Sequence, residues 1–231
     1  MRVYADEQLA LPFLKGPPEA LRFLDENPLK WERVMKRMGI APGEQVKELG
    51  KGGHGIALQI GSDVVLKITD DKVEASAAII LKNNPMPEAY SVRDVFSIEL
   101  KKNVIRLPHG VRFGIVTELL QQPDLEYQEI IRGWQSFSGG WEALTPGNVK
   151  VFLADYEGYD PAACEWLKRA AAGLVKRKIF YKDLKTNNIM KRANGEHVMI
   201  DFGHHSDVPN KRVPTAQWLE AMATRIEATY L

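Results

Sequence analysis

Three side chains in the last third of the chain, Asp183, Asn188 and Asp201, have the types and spacing to act on a phosphate. Asn188 follows Asp183 by five residues, and Asp201 opens the tripeptide 201-DFG-203. Phosphoryl transfer needs a positioned nucleophile and neutralised charge on the phosphate oxygens more than covalent help from the protein. The oxygens of Asn188 and Asp201 are hard ligands that suit Mg²⁺. The Asp183 carboxylate could accept the proton of an attacking hydroxyl or orient it. These residues therefore predict Mg²⁺-dependent phosphoryl chemistry.

The same region resembles the protein-kinase-like superfamily. The run 181-YKDLKTNNIM-190 is similar to the kinase catalytic loop H-R-D-L-x-x-x-N, and 201-DFG-203 matches the magnesium-binding motif. Asp183 and Asp201 are 18 residues apart, an interval typical of a kinase catalytic hairpin. No A-P-E motif appears after Gly203, and only 28 residues follow it. The resemblance is therefore to short bacteriophage and bacterial serine/threonine kinases with a reduced C-lobe.

A glycine-rich run further upstream fits the loop with which kinases cover the nucleotide phosphates. Residues 50-GKGGHG-55 have the spacing G-x-G-x-x-G between two strand candidates. The resemblance implies that this backbone lies over the phosphates, where glycine permits close approach. A glycine hairpin turn is the structural alternative, and a dinucleotide-binding fold would need a helix where 56-IALQI-60 favours a strand. The glycines concerned are Gly50, Gly52, Gly53 and Gly55.

The resemblance also implies an ion pair that holds the phosphates. The run 64-VVLK-67 fits V-A-I-K, so Lys67 would bind the α- and β-phosphates, with an ordinary surface lysine as the alternative. Glu74, on the helix expected next, is the partner we favour for Lys67. An acidic residue in a first helical turn is also explained by the helix dipole. Glu88 is the other candidate, but it lies beside two prolines, where a helix is not expected.

The segment 115-IVTELL-120 would form the adenine side of the cleft. By resemblance Thr117 is the gatekeeper, and Glu118 and Leu119 begin the hinge whose backbone pairs with the adenine edge. The structural alternative is an ordinary buried strand end.

Three residues of the catalytic loop bear on the acceptor and on regulation. Lys185 matches the lysine that serine/threonine kinases place near the γ-phosphate, and it favours a protein hydroxyl as acceptor. Tyr181 and Lys182 stand where the family usually has histidine and arginine. Because lysine lacks the planar fork of arginine, we do not expect an activation loop clamped by a phosphate.

The composition limits the class of protein. With 45% hydrophobic and 26% charged residues, a chain of 231 residues has the composition of a folded protein. A net charge of +1 gives no indication of a nucleic-acid partner. The single cysteine, Cys164, excludes an internal disulfide, and no stretch reaches the ~18 apolar residues of a membrane span. We therefore expect a cytoplasmic protein, in the host cytoplasm if it is phage-encoded, without membrane partners.

An α+β, bilobal, protein-kinase-like fold is predicted. Residues 1–45 would be a helical extension, in which Gly39 ends a helix that begins at Pro28. Residues 46–120 would form an N-lobe, an antiparallel sheet plus one helix. Residues 121–231 would form a truncated, mostly helical C-lobe.

Local patterns place individual elements within these segments. An apolar face predicts a helix over residues 72–82, and Pro161 suits the first turn of a second helix over 161–178. Asn194-Gly195 between two β-prone segments predicts a hairpin of residues 189–191 and 197–200. Residues 123–160 are expected to be irregular, and residues 214–230 have an amphipathic pattern.

The function expected from these observations is ATP- and Mg²⁺-dependent phosphorylation of a Ser or Thr hydroxyl in a protein. Two alternatives remain open. One is a small-molecule kinase on the same fold, and the other is a pseudokinase or partner-binding module that uses the nucleotide as a structural ligand. The oligomeric state is left open by the sequence.

Overall fold

The structure is a computed structural model that describes residues 14–15, 35–36, 39–40, 44–51, 55–98, 112–139, 142–155 and 158–203. Two of the predicted loop glycines, Gly52 and Gly53, lie outside these ranges, as does the amphipathic segment 214–230. Most of the N-terminal extension also lies outside them. At its end, Gly39 has a φ of +70° and Ile40 N–H donates to the Met35 carbonyl. Gly39 thus ends a helix, as predicted.

A sheet of five antiparallel strands forms the first half of the fold, which is α+β overall. The strands are β2 (Glu44–Lys51), β3 (Gly55–Ile60), β4 (Val64–Thr69), β5 (Val92–Ile98) and β6 (Arg112–Glu118), and a short β1 (Leu14–Lys15) pairs in parallel with β2. Their spatial order is β1-β2-β3-β4-β6-β5. Alternate residues of β3 and β4 are buried, which is why this glycine-punctuated stretch forms strands.

One helix covers the sheet. Helix α1 (Lys72–Asn83) packs against β5 and β6, and it buries Ala75, Ala78 and Ile79. Asp71 caps its N-terminus, because the Asp71 carboxylate accepts hydrogen bonds from the N–H groups of Val73 and Glu74. The prediction of a helix over residues 72–82 is confirmed.

Three further helices follow the sheet. They are α2 (Leu125–Ser138), α3 (Pro146–Asp155) and α4 (Pro161–Lys176), and both α2 and α3 pack against α4. The prediction for α4 is confirmed, with Pro161 in its first turn. The prediction that residues 123–160 are irregular is wrong. Ile130, Ile131 and Trp134 form a fully buried face of α2, which stabilises a helix that its many polar residues obscure in the sequence.

A β-hairpin completes the described fold and leads to Asp201. A 3₁₀ turn (Thr186–Asn188) precedes β7 (Ile189–Lys191), which pairs with β8 (His197–Met199). Gly195 has a φ of +90°, which an L side chain would adopt only with strain. The predicted hairpin is confirmed. Met199 also bonds the segment before β5, so the hairpin is fixed to the sheet side of the molecule.

The apolar interior is continuous between the two halves. One cluster joins Ala78 of α1 and Ile115 of β6 to Trp134, Leu167 and Phe202. Among the described helices, none combines the length and the apolar character needed to cross a membrane.

Candidate functional site

A cleft of about 720 Å³ lies between the sheet and the loop that carries Asp183. Its wall includes the gatekeeper candidate Thr117 and ten of the twelve residues that the sequence nominates for catalysis or for binding of nucleotide and metal. The other two, Gly52 and Gly53, lie outside the residues that the structure describes. The ten are Gly50, Gly55, Lys67, Glu74, Glu118, Leu119, Asp183, Lys185, Asn188 and Asp201. Side chains that lie far apart in the chain thus face one cavity, whose size is typical of a small-molecule site.

Lys67 lies at the centre of this group. Its Nζ is 2.5 Å from Oε1 of Glu74 and 2.8 Å from Oδ1 of Asp201. Burial alone would lower the pKa of Lys67, but the carboxylates of Glu74 and Asp201 outweigh it and raise the pKa above 10.5. The ammonium therefore stays charged, and it links α1 to the segment after the hairpin.

Glu74 lies in the first turn of α1, and its side chain is buried against Lys67. Its side chain is 3% exposed, and burial raises the pKa of the Glu74 carboxyl although Lys67 acts in the opposite direction. A buried carboxylate needs such a cation, so interaction with the helix dipole is not its only role. Glu88, the other candidate partner, instead pairs with Arg169 at 2.9 Å.

Asp183, Lys185 and Asn188 form a second cluster. Lys185 Nζ lies 2.7 Å from Oδ2 of Asp183, and the Asn188 amide nitrogen donates to that oxygen at 3.1 Å. The same nitrogen donates to the main-chain carbonyl of Asp183 at 2.9 Å. Because its nitrogen faces Asp183, the amide oxygen of Asn188 is the atom left for a cation. The Asp183 side chain is 27% exposed and therefore accessible to a second molecule.

The backbone around Asp201 is constrained from both sides. Asp201 has a φ of +58°, a conformation that costs free energy in a non-glycine residue and is often found at functional sites. The Tyr181 hydroxyl donates to the Ile200 carbonyl at 2.9 Å, and Ile200 N–H donates to the Asn188 carbonyl at 2.9 Å. The Tyr181 ring also packs on Phe202, with centroids 4.8 Å apart. These contacts fix Asp201 relative to Asn188.

The two residues predicted to begin a hinge, Glu118 and Leu119, already have partners within the protein. Leu119 N–H donates to the Asp63 carbonyl at 3.1 Å, so it is engaged in the sheet. The Glu118 carboxylate accepts from both Arg192 Nε, at 3.0 Å, and Ser91 N–H, at 2.8 Å. Leu120 N–H, in contrast, donates no hydrogen bond to any residue that the structure describes. A ligand could therefore pair with the Leu120 N–H, but not with that of Leu119.

The donor set fits a magnesium–phosphate complex better than a metal ion alone. In the described part of the chain, no three His, Cys, Asp or Glu side chains are grouped to hold a metal ion. Asn188 and Asp201 supply one amide and one carboxylate oxygen. Mg²⁺ commonly accepts so few protein ligands, because it retains water and takes phosphate oxygens as well.

Three residues at this site have contacts or positions that the sequence does not reveal. Tyr181 was noticed only as a departure from the kinase pattern, and its bond to Ile200 depends on the tertiary fold. Arg192 bonds Glu118 and the carbonyls of residues 87 and 89, and its place beside the Asn-Gly turn gives no indication of this. Tyr90 lines the cleft and is 5% exposed, but no motif marks it.

No protein-family model matches the chain, and a comparison with curated proteins finds no match.

Proposed function

We propose that this protein is a phosphotransferase that moves the γ-phosphate of Mg·ATP to a Ser or Thr hydroxyl of a protein, on a bilobal kinase-like fold divided near residue 120. The observation that carries the proposal is the contact of Lys67 with both Glu74 and Asp201, in a cleft that also contains Asp183 and Asn188. A purely structural core has no need for two cations and four polar or acidic groups around one cavity.

In this proposal Asp201 and the amide oxygen of Asn188 hold the magnesium ion, and Lys67 binds phosphate oxygens. When bound there, Mg²⁺ would neutralise charge on the phosphates. Glu74 keeps the Lys67 ammonium directed into the cleft. The backbone of β2 and β3, which contributes Gly50 and Gly55, covers the phosphates.

Asp183 orients the attacking hydroxyl and accepts its proton, and Lys185 stabilises the negative charge beside it. In support of this role, the Lys185 ammonium lies 2.7 Å from the Asp183 carboxylate, beside which the acceptor hydroxyl would react. The Lys185 side chain is 40% exposed, which suits an acceptor that arrives from solvent as part of a larger molecule. This exposure supports a protein acceptor over a small metabolite enclosed in the cleft.

The adenine would occupy the apolar end of the cleft. Ala57, Val65, Met190 and Ile200 line it, and their apolar surfaces suit the two faces of a planar base. The Leu120 N–H and the Glu118 carbonyl are the backbone groups that would pair with the edge of the base.

The test is transfer of labelled γ-phosphate from ATP to proteins of a host-cell extract. Wild-type protein should label at least one protein, and Asp183→Ala should reduce labelling by about 10²- to 10⁴-fold, the usual contribution of a general base. Glu165→Gln is the matched control, because this exposed acid pairs with Lys168 and does not line the cleft. Equal labelling by Asp183→Ala would overturn the catalytic assignment.

Two other outcomes would identify the alternatives. ATP consumption without labelled protein would indicate a small-molecule kinase on the same site. Binding of Mg·ATP without any turnover would indicate a pseudokinase, in which the nucleotide serves as a structural ligand.

A further inference from the structure

Arg192, the residue that follows β7, uses its whole guanidinium group in contacts with the protein. Its Nε donates to the Glu118 carboxylate at 3.0 Å, and Nη1 and Nη2 donate to two acceptors each. Those four are the carbonyls of Pro87 and Ala89, the Ser91 hydroxyl and the Glu196 carboxylate, at 2.8–3.1 Å. A guanidinium has five N–H groups, so all of them are engaged. The side chain is only 14% exposed, which distinguishes it from an ordinary surface charge.

These contacts hold the chain at the point where it leaves the sheet. Glu118 is the last residue of β6, and its carboxylate also accepts a hydrogen bond from Ser91 N–H at 2.8 Å. Arg192 and Ser91 therefore hold this carboxylate from the hairpin and from the segment before β5. Because the pairing of β6 ends at Glu118, these side-chain contacts fix the course of the chain beyond it.

The residue before Arg192 holds the other end of the same stretch. Lys191 N–H donates to the Gln121 carbonyl at 2.8 Å, and Gln121 N–H donates to the Lys191 carbonyl at 2.7 Å. Two consecutive residues thus attach residues 118–121 to the hairpin at both ends. The residues between these attachments line the cleft, and so does Met190 of β7.

We propose that Arg192 is a positioning residue for the nucleobase, which fixes the Glu118 carbonyl and the Leu120 N–H through its contacts with the Glu118 carboxylate. This inference rests on the proposed function, since it requires that the base of ATP lies along residues 118–120. Arg192 is not among the residues that line the cleft, so it acts on the base only through this stretch. A stretch that is fixed beforehand binds more tightly than one that the ligand must first order.

Arg192→Gln tests this inference, because glutamine cannot reach all five acceptors. Titration calorimetry should show that adenosine and Mg·ATP both bind about three- to tenfold more weakly than to wild type, by the same factor. The ratio of ATP affinities with Mg²⁺ and with a chelator should keep its wild-type value, because it reports on the phosphate end of the cleft. Arg192→Lys keeps the charge without the planar fork and should show a smaller loss of adenosine affinity. If Arg192→Gln does not fold, Arg192→Lys decides by the same measurements.

Arg169→Gln is the matched control. Arg169 also pairs with a buried carboxylate, that of Glu88 at 2.9 Å, but it does not line the cleft. Its variant should lose stability, as Arg192→Gln should, yet it should bind adenosine as wild type does.

Four results would overturn the inference alone. They are unchanged adenosine affinity in the Arg192 variants, an equal loss in Arg169→Gln, an altered Mg²⁺ ratio in the Arg192 variants, and a wild type that binds Mg·ATP but not adenosine. Wild-type protein that does not bind Mg·ATP would overturn the proposed function together with this inference.

Discussion

The ammonium of Lys67 lies 2.8 Å from Oδ1 of Asp201, although 134 residues separate the two in the chain. Lys67 belongs to β4, an interior strand of the sheet, and Asp201 follows the second strand of the hairpin. The contact therefore joins the sheet to the segment after the hairpin, inside the cleft that both residues line. Glu74 completes this group from α1.

Replacement of Lys67 separates the structural role of this group from its proposed role in binding. Lys67→Met leaves the buried Glu74 carboxylate without its cation, so the free energy of unfolding should fall by roughly 1–3 kcal/mol. The double variant Lys67→Met/Glu74→Gln has no such uncompensated charge and should recover much of that loss. Both variants should bind Mg·ATP at least about tenfold more weakly than wild type. Urea denaturation and calorimetric titration measure the two effects.

An unchanged stability of Lys67→Met would contradict the structural part of this prediction. Full Mg·ATP affinity in the double variant would contradict the part that concerns phosphates.

The two described glycines of the glycine-rich run should respond differently to alanine. A Cβ on Gly55 would lie 2.0 Å from the Ile68 carbonyl oxygen, so Gly55→Ala must distort the β3–β4 pairing, at a cost of roughly 1–3 kcal/mol. A Cβ on Gly50 would meet no described atom within 4 Å, so the fold should tolerate Gly50→Ala. If the backbone here covers phosphates, Gly50→Ala should still weaken Mg·ATP binding.

Thermal unfolding with and without Mg·ATP distinguishes these effects. Equal melting temperatures for Gly55→Ala and Gly50→Ala in the absence of nucleotide would show that the close approach to Ile68 is unimportant.

The elements that follow a local rule could be predicted from the sequence. Helix α4 begins at a proline, and the β7–β8 hairpin turns at Asn194-Gly195, so each carries its own boundary signal. Helix α2 was missed because many polar residues interrupt its apolar face. In α3, apolar residues are not confined to one face, since Val149 and Phe152 are buried whereas Val151 is exposed, so the helical period is weak. The buried spacing of Ile130, Ile131 and Trp134 was nevertheless a helical signal.

The candidate site shows the same division. Residues within short motifs, such as Asp183 and Asn188, could be nominated because their spacing along the chain resembles a known pattern. The roles of Tyr90 and Arg192 depend on which distant backbone each one meets, and no local rule of periodicity or turn chemistry encodes that meeting. Tertiary contacts of this kind are visible only in the folded chain.

His197 should give the fold a dependence on pH. Its ring is buried, stacks on Tyr127 with centroids 3.5 Å apart, and accepts a hydrogen bond from Asp124 N–H. Burial lowers the pKa of His197 below 6.5, against the effect of the Asp124 carboxylate. The unfolded chain then binds a proton more readily than the folded chain does. The contribution of His197 to the free energy of unfolding is therefore fully present above pH 6.5 and is lost as the pH falls below that value.

His197→Gln keeps an acceptor for Asp124 N–H but does not titrate. Urea denaturation between about pH 5 and pH 8 should give a smaller decline for the variant than for wild type. Parallel declines in the two proteins would assign the pH dependence to other groups.

Titration calorimetry of Mg·ATP with wild type and Asp201→Asn tests the central claim most directly, because Asp201 is both the partner of Lys67 and the proposed metal ligand. Wild type should bind ATP at least about tenfold more tightly with Mg²⁺ than with a chelator, and Asp201→Asn should lose that difference. The Glu165→Gln control should behave as wild type. Failure of wild type to bind Mg·ATP, or an Asp201→Asn variant with undiminished dependence on Mg²⁺, would contradict the account.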